Sequence, residues 1–551
     1  GPGRPPEGGN ASAPPVATAP ARIELDIVAF GRVLGTVAPC GCTTEPLGGM
    51  QYAFGWLDAN TTAGARLVLE PGSFLYPDPK GPFAPPDDAG WKQAESRASL
   101  LRERFAQLGA DLVSGIGPFD AVAPQGAKAL AEHVLPRTSA NVVPSAGTIE
   151  KHRIIELHDE GASFKVGVTS VLDDSVEGGA ALGKVDLPMR SIKREVAAMQ
   201  EAGTALQIVI AHGPRKFAEQ IARDVEGVDI VVIGIVEGVD RQKTGSPPTR
   251  MGDTWLLEPG DQLQSLTRIR LSLVPGSTTL PDPTAWKLIP GRADMEKELA
   301  RVEARLKKFE SNPNANADFV QRLVDERARL GDQLAGKLDG DAIAVFEQLK
   351  VTCKLPVDDA AKQALASYDR GVAEDNAKRF AGVKPPAPAK GKAGYVGTTA
   401  CADCHEEAVE FWKTTVHAGA WQTLVDDDKQ LDLSCVGCHV TGFRKPGGSE
   451  VVENVGLRDV QCEVCHGPGS RHVDDGGSDL KRITLTTSAE LCAGECHTAE
   501  HSDTFDYVPY LRDVLGKGHG EQARNKLGEG PTGAQLRAAG LAKAGGACKK
   551  M

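Results

Sequence analysis

Cysteine and histidine residues near the C-terminal end of the chain form a repeated pattern. Eight of the 12 cysteines lie in pairs between Cys401 and Cys496, and a histidine follows each pair directly. The four sets are Cys401-Ala-Asp-Cys404-His405, Cys435-Val-Gly-Cys438-His439, Cys462-Glu-Val-Cys465-His466 and Cys492-Ala-Gly-Glu-Cys496-His497. Two thiols about one helical turn apart can bond to the two vinyl groups of a haem, and the adjacent imidazole can coordinate its iron. The pattern predicts four covalently bound haem c groups.

Zinc binding is the alternative interpretation, because cysteine pairs at this spacing also hold Zn²⁺ as two-plus-two sets. One such motif alone would not separate the two interpretations. A histidine behind each of four pairs favours haem. The fourth motif has one extra residue between its cysteines, which is a known variant of the attachment sequence.

Further histidines in the same region are candidates for the second axial position of each iron. They are His417, His472, His501 and His519. Because this region holds no methionine before the terminal Met551, we expect coordination by two histidines, which gives lower potentials than methionine and histidine together.

The flanking residues resemble a known family. The runs YVGTTACADCHEEAVEFWKTTVHAGAWQTL, CVGCHVTGFRKPGG, VQCEVCHGPGSRHV and FDYVPYLRDVLGKGHG are similar to the tetrahaem cytochrome c family that accepts electrons from hydroxylamine oxidoreductase. By position, His472, His417 and His519 resemble the distal ligands of the first, third and fourth haem of that family. The second haem, attached at His439, is five-coordinate in the family and could bind a small molecule such as NO. His501 could ligate it, although a solvent-facing histidine is the favoured interpretation.

Composition and charge narrow the choice of partners. The net charge is −12, and every haem would add two propionates, so nucleic acids and anionic membranes are poor partners and redox proteins are better ones. No apolar run approaches the length of a membrane helix. Covalent haem attachment takes place outside the cytoplasm, so we expect a periplasmic or extracellular protein, with outer-membrane attachment, a lipid anchor or an oligomer compatible with the sequence.

The rest of the chain must position this module. Residues 1–21 are a Pro/Gly/Ala tract that predicts a disordered tether. In residues 22–288, short β-branched runs such as Ile23–Val28 and Leu206–Ala211 alternate with helical stretches such as Trp91–Leu108, which predicts a layered α/β domain. Residues 289–393 predict a helical hairpin and a Pro-rich linker, residues 394–522 a mainly α multihaem module, and residues 523–551 a flexible tail.

The apolar stripe of the hairpin leaves two interpretations open. Met295, Leu299, Val302 and Leu306 recur at steps of four and three residues, and the SNPNAN segment that follows breaks the helix. A partner-binding coiled coil would show this pattern, but an intramolecular spacer is favoured.

Several pieces of residues 22–288 resemble the 5′-nucleotidase branch of the metallophosphoesterases. These are APCGCTTEPLGGMQYA, LVLEPGSFLYPD, SANVV, IVIAHGP and VDIVVIGIVE. Enzymes of this kind clamp two metal ions with Asp, Asn and His side chains. The resemblance leaves His212 and Asn141 as the surviving ligands, whereas Arg32, Leu34, Ser73, the segment Gly115-Ile116-Gly117 and the segment Gly234-Ile235-Val236-Glu237 replace the others. We therefore expect a degenerate, metal-free domain, with His212 as a hydrogen-bonded residue at a strand end.

Four more cysteines lie outside the motifs: Cys40, Cys42, Cys353 and Cys548. A disulfide between one of Cys40 and Cys42 and either Cys353 or Cys548 is favoured in an oxidising compartment. Binding of a soft metal or a sulfur-containing ligand by Cys40 and Cys42 is the alternative.

Electron transfer is therefore the leading hypothesis, with the α/β domain used for docking or ligand binding. An oxidoreductase acting on a small nitrogen or sulfur species at an open second haem is the second hypothesis. A residual phosphoester hydrolase is the third, and assembly into a haem-bearing filament is a fourth. An electron carrier is favoured over an enzyme, and a haem oxidoreductase over a hydrolase.

Overall fold

The computed structural model describes residues 22–545 except 40–41, 81–84, 86, 125, 127, 129, 131–134, 236–243, 311–315, 336–341 and 499. The expected tether at residues 1–21 lies outside the described residues. The strands are β1 Ile23–Phe30, β2 Arg66–Glu70, β3 Leu112–Ser114, β4 Val142–Pro144, β5 Arg153–Asp159, β6 Ala162–Leu172, β7 Gly183–Val185, β8 Leu206–Pro214, β9 Ile230–Ile235, β10 Gly245–Met251, β11 Thr254–Pro259, β12 Ser265–Leu273, β13 Lys287–Pro290 and β14 Ala342–Lys350.

The α-helices fall into two groups along the chain. Those up to residue 379 are α1 Met50–Asn60, α2 Asp88–Ala106, α3 Pro188–Glu201, α4 Arg215–Asp224, α5 Arg292–Glu310, α6 Ala317–Leu334 and α7 Asp359–Arg379. The later ones are α8 Thr398–Trp412, α9 Ala420–Asp426, α10 Cys462–His466, α11 Ser470–Asp474, α12 Ala489–Glu495, α13 Tyr507–Val514, α14 Glu521–Lys526 and α15 Gly533–Lys543.

Two six-stranded sheets form the α/β domain. Their strand orders are β13-β14-β12-β1-β2-β3 and β10-β11-β9-β8-β6-β5. Alternate residues of β1 enter different cores: Leu25 and Ile27 face the core between the sheets, whereas Val28 and Phe30 pack with α1 and α2 on the outer face. Helices α3 and α4 cover the outer face of the second sheet. The predicted layered α/β architecture is confirmed.

The predicted end of this domain at residue 288 is wrong. Strand β14 returns to the first sheet, where it pairs with β12 in antiparallel and with β13 in parallel orientation. The domain therefore includes residues 342–350. The return is a pairing between distant segments, and the local pattern of residues does not reveal it.

Helices α5 and α6 form the predicted hairpin, inserted between β13 and β14. Val302, Leu306, Leu323 and Leu330 are buried between the two helices. The rings of Phe309 and Phe319 meet edge to face with centroids 5.4 Å apart. The apolar stripe therefore packs within the chain, between the two helices of the hairpin. The role of the hairpin as a spacer stays a prediction.

The C-terminal module, residues 394–522, consists of short helices joined by turns. Its apolar cluster is small and includes Trp421, Val436, Val440 and Val451. Among the helices that the structure describes, none is long and apolar enough to cross a membrane.

The tail that we expected to be flexible contains two helices. Helix α15 begins with a capping box in which Thr532 and Gln535 exchange side-chain and backbone hydrogen bonds. The Arg512 guanidinium of α13 donates to the carbonyl oxygens of Leu527 and Pro531 at 3.0 and 2.9 Å. The Gly/Ala/Lys-rich composition of the tail does not indicate this cap or these contacts.

Candidate functional site

Each attachment motif adopts one turn of helix, which brings its two thiols to the same side. The first motif lies in α8, which kinks at His405. The second forms a 3₁₀ turn at Val436–His439, and the third is α10 itself. In the fourth, Cys492 lies in α12 and Cys496 caps its C-terminus, so the extra residue is accommodated at the helix end.

Three of the motif histidines face a second imidazole across a gap. The ring centroids are 6.5 Å apart for His405 and His472, 6.2 Å for His417 and His497, and 6.0 Å for His466 and His519. Two imidazoles on one metal have centroids about 6 Å apart, because each metal–nitrogen bond is about 2 Å long and each ring centre lies about 1 Å behind its nitrogen. The three pairs therefore fit the axial positions of three irons.

The pairing differs from the expectation for two of the distal histidines. If the haems are counted in chain order, His417 faces the fourth motif and His519 faces the third, which exchanges the two positions carried over from the family. The pairing with His472 agrees with the expectation. The exchange depends on how α8 and α13 pack, which the spacing of the histidines along the chain does not encode.

The second motif differs from the other three. Among the histidines that the structure describes, no ring faces His439 in this way. His501 is half-buried rather than solvent-facing, and its Nδ1 lies 2.7 Å from Thr498 Oγ1. Burial lowers the pKa of His501, and the His439 imidazole lowers it further.

Hydrogen bonds hold four imidazoles through Nδ1 and leave Nε2 for a metal. The Nδ1 atom lies 2.5 Å from Ala420 O in His439, 2.5 Å from Thr484 O in His466, 3.0 Å from Ser502 Oγ in His497 and 2.7 Å from Val514 O in His519. Backbone carbonyls fix both the tautomer and the orientation of a ligand histidine. The sequence did not identify these acceptors, because all but Ser502 act through the backbone.

Burial favours the neutral form in one of the three imidazole pairs, that of His417 and His497. It lowers the pKa of His417, and it lowers the pKa of His497 to about 4, with a further contribution from the neighbouring His417. Neutral imidazole is the form that coordinates iron.

Contacts between thiols show which motifs are neighbours. The thiol of Cys401 lies close enough to that of Cys462 to interact with it, and the same holds for the thiols of Cys438 and Cys496. Cys465 interacts electrostatically with Cys492. The motifs therefore follow one another in space in the order first, third, fourth, second.

Comparison with known proteins agrees with this geometry. Residues 400–467 match the family model described as cytochrome c554 and c-prime. The C-terminal module resembles cytochrome c554. A curated relative, cytochrome c-554 of Nitrosomonas europaea, is 36% identical over 93 residues, which cover 14% of this chain and 40% of the relative. The matched residues of the family model include the first three motifs, and the cytochrome c554 resemblance implies covalently bound haem c there.

Solved structures similar to the chain include three hydrolases. The 5′-nucleotidase precursor of Thermus thermophilus is 15% identical, covers 63% of this chain and 59% of its own, and has a TM-score of 0.41. The NAD nucleotidase of Haemophilus influenzae is 13% identical, with 68% of this chain and 64% of the nucleotidase covered and a TM-score of 0.39. The sulfate thiohydrolase SoxB of Thermus thermophilus is 14% identical, with 47% of this chain and 54% of SoxB covered and a TM-score of 0.34. At TM-scores this low, the likeness carries no functional information.

The α/β domain buries a group of polar residues where the sequence suggested a lost metal site. His212 is 1% exposed, with Nδ1 2.8 Å from Pro71 O and Nε2 3.4 Å from Ser73 Oγ. The side-chain amide of Asn141 is hydrogen-bonded to the backbone: it donates to Leu172 O and accepts from Leu172 N–H. Within the described residues, no group of three or more His, Cys, Asp or Glu side chains could hold a metal ion.

Charge pairs fill the same region. The Arg32 guanidinium donates to both carboxylate oxygens of Asp261, at 3.3 and 2.5 Å, and Arg137 lies 3.2 Å from Asp120. Burial lowers the pKa of His212 to about 4, and the nearby Arg32 adds to the effect. Burial also raises the pKa of Glu70 to about 8, with a contribution from Asp120. His212 and Glu70 are therefore both largely neutral near pH 7.

Two of the remaining cysteines are described. Cys353 is disulfide-bonded, which agrees with the expected disulfide, whereas Cys42 is an exposed thiol. Cys40 and Cys548 lie outside the described residues, so the pairing and the ligand-binding alternative stay predictions.

Glu463, inside the third motif, is a residue that the sequence analysis overlooked. It is 2% exposed and accepts hydrogen bonds from the backbone N–H groups of Val396, Gly397 and Gly469 at 2.7–3.0 Å. In the sequence, the feature that could have indicated this residue is a carboxylate placed between the two cysteines of a motif. Its contacts tie the third motif to the segments that precede Cys401 and His472.

Proposed function

We propose that this protein transfers electrons through four covalently bound haem c groups. The observation that carries the proposal is the set of three imidazole pairs, with centroids 6.0–6.5 Å apart, each containing one motif histidine. Coordination by two histidines suits repeated one-electron transfer, because neither axial position is open to a substrate. His405, His439, His466 and His497 are the proximal ligands in this proposal.

The order of the motifs supports a continuous route. Neighbouring thiols link the first motif to the third, the third to the fourth, and the fourth to the second. Because a thioether sulfur lies at the haem edge, adjacent thiols bring haem edges close together. Electrons would pass between the haems of His405 and His439 by way of those of His466 and His497.

Haem attachment also determines where the protein works. Thioether bonds to haem are formed outside the cytoplasm, so we place the protein in the periplasm or outside the cell, with redox proteins as partners. A lipid anchor or an oligomer is compatible with this location. The α/β domain serves in docking or ligand binding rather than hydrolysis, because Arg32 and Asp261 pair with each other in the region of His212.

Mass spectrometry and redox titration of the purified full chain test the proposal. We expect a mass equal to the polypeptide plus four haems and four reducible components at low potential. A colourless protein, or one whose mass equals polypeptide plus zinc, would contradict it.

A second candidate function rests on His439, for which the described residues supply no facing imidazole. Small nitrogen or sulfur species would then react at this haem. We expect a high-spin component that shifts when cyanide or NO is added, unchanged by His501→Ala. Spectra that are entirely low-spin in the unmodified protein and gain a high-spin component in His501→Ala would instead assign His501 as the sixth ligand.

A further inference from the structure

The chain segment that leads into the second motif is anchored by a buried amide of the α/β domain. Gln93, in α2, is 6% exposed. Its Nε2 lies 2.5 Å from Asp432 Oδ1, and its Oε1 accepts from the backbone N–H of Leu433 at 3.2 Å. These residues lie two and three positions before Cys435.

A second buried amide completes the anchor. Asn376, in α7, is 4% exposed. Its Nδ2 donates to Leu431 O at 2.8 Å and to Gln93 Oε1 at 3.3 Å. Satisfied buried amides of this kind fix one backbone conformation, because breaking the hydrogen bonds leaves polar groups unpaired.

Apolar and charged contacts extend the same interface. Ala89 of α2 and Phe380, which caps α7, share a cluster with Val436 of the second motif, and Val436 is fully buried. Asp87, the N-cap of α2, pairs with Arg444 at 2.6 Å. The second motif is therefore packed directly against the α/β domain and α7.

A loop of the α/β domain approaches the fourth motif as well. Thr44 donates through its N–H and Oγ1 to the two carboxylate oxygens of Asp503, at 3.0 and 2.5 Å. Arg537 of α15 donates to Cys42 O of the same loop at 2.8 Å. The anchoring of the first and third motifs comes instead from inside the C-terminal module, through Glu463.

We propose that Gln93 and Asn376 are positioning residues for the second haem, so that their contacts set the properties of this haem and not those of the other three. The inference rests on the proposed haem function. Five residues, Cys435 to His439, supply both thioether sulfurs and the proximal imidazole of this haem. The orientation of the imidazole therefore follows the segment that Gln93 and Asn376 hold. Changes in α2 or α7, including those caused by a ligand of the α/β domain, act on this haem first.

Substitutions at Gln93 and Asp432, which lie on opposite sides of the interface between α2 and the second motif, test the inference. Gln93→Glu replaces the amide that donates to Asp432 with a carboxylate, so it breaks a hydrogen bond and adds a negative charge beside the second motif. We expect one of the four components in a spectroelectrochemical titration of the full haem-loaded protein to shift to lower potential. The remaining three should stay within experimental error.

The double variant Gln93→Glu/Asp432→Asn is the rescue. The new amide at position 432 can donate to the new carboxylate, and the net charge returns to its original value. We expect the shifted component to return to its original potential. Gln321→Glu, on the exposed face of the distant hairpin, adds the same charge and should shift none of the components.

Gln93→Met covers the case in which the charged variant does not fold. It keeps the length of the side chain, removes the hydrogen bonds and adds no charge, and we expect it to broaden the electron paramagnetic resonance signal of one haem. An equal shift of all four components, no shift in any, or a failed rescue would overturn the inference. A protein without haem would contradict the proposed function instead, so the two failures are distinguishable.

Discussion

Glu463 places a buried negative charge between the first and third motifs. Three backbone N–H groups at 2.7–3.0 Å stabilise this charge. Its position within the Cys462–Cys465 turn would bring it close to the haems that we propose for the first and third motifs. A fixed anion favours ferric iron over ferrous iron. We infer that this residue contributes to the low potentials expected from coordination by two histidines.

Replacing this carboxylate should raise haem potentials. In Glu463→Gln, the amide keeps one acceptor oxygen, but its NH₂ group meets backbone donors, so we expect a loss of about 1–3 kcal/mol in stability. Redox titration should show one or two components at higher potential. Glu410→Gln, an exposed residue of α8 paired with Lys413, is the matched control and should change neither quantity. Unchanged potentials in Glu463→Gln would contradict the electrostatic role.

Glu70 makes the stability of the α/β domain depend on pH. Its pKa is raised from 4.5 to about 8, so between these values the folded state binds a proton that the unfolded state has lost. This contribution to stability is complete below pH 4.5 and is lost as the pH rises towards 8. His212 acts in the opposite sense, because its pKa is lowered from 6.5 to about 4 and stability falls as the pH falls through that range.

Glu70→Gln should remove most of the alkaline decline. The glutamine is neutral at every pH and can still accept from the N–H of Gly72, as Glu70 does at 2.8 Å. The raised pKa limits the effect to at most about 5 kcal/mol between pH 4.5 and 8. Thermal melts at several pH values measure it, with Glu177→Gln at the surface as the control. A decline that is as steep in Glu70→Gln as in the unmodified protein would assign it to another group.

The hairpin of α5 and α6 is an element with its own core. Val302, Leu306, Leu323 and Leu330 are 0–5% exposed between its helices. The hairpin leaves the sheet after β13 and returns as β14, so it is part of a crossover between two parallel strands. The hairpin is therefore part of the connection between β13 and β14 in the first sheet.

Leu306→Ala should loosen the hairpin without affecting the haems. Truncation of a buried leucine costs about 2–5 kcal/mol, and we expect faster proteolysis between residues 292 and 334. The haem absorption spectrum should be unchanged. Glu303→Ala, exposed on the same helix, is the control. A change in haem spectra with Leu306→Ala would show that the hairpin supports the C-terminal module.

The whole molecule combines a C-terminal haem module with an α/β domain in which buried polar residues fill the region of the suggested metal site. In the α/β domain, the described residues offer His212 and Asn141 but no cluster for a metal. Because the Arg32–Asp261 ion pair lies in the region of His212, we expect no phosphoesterase turnover with added Mn²⁺ or Zn²⁺, and metal analysis should find iron alone. Hydrolysis that depends on His212 would restore the hydrolase hypothesis.

The sequence by itself determined the features that depend on neighbouring residues. Attachment of haem requires two thiols and an imidazole within one turn, so the motifs from Cys401 to His497 were recognisable from spacing, as was the apolar stripe of the hairpin. The tertiary structure decided which distant segments meet: His417 faces His497 rather than His466, β14 rejoins the sheet beyond residue 288, and Gln93 holds the segment before Cys435. Such contacts depend on long-range packing of whole elements, which residue spacing along a chain does not record.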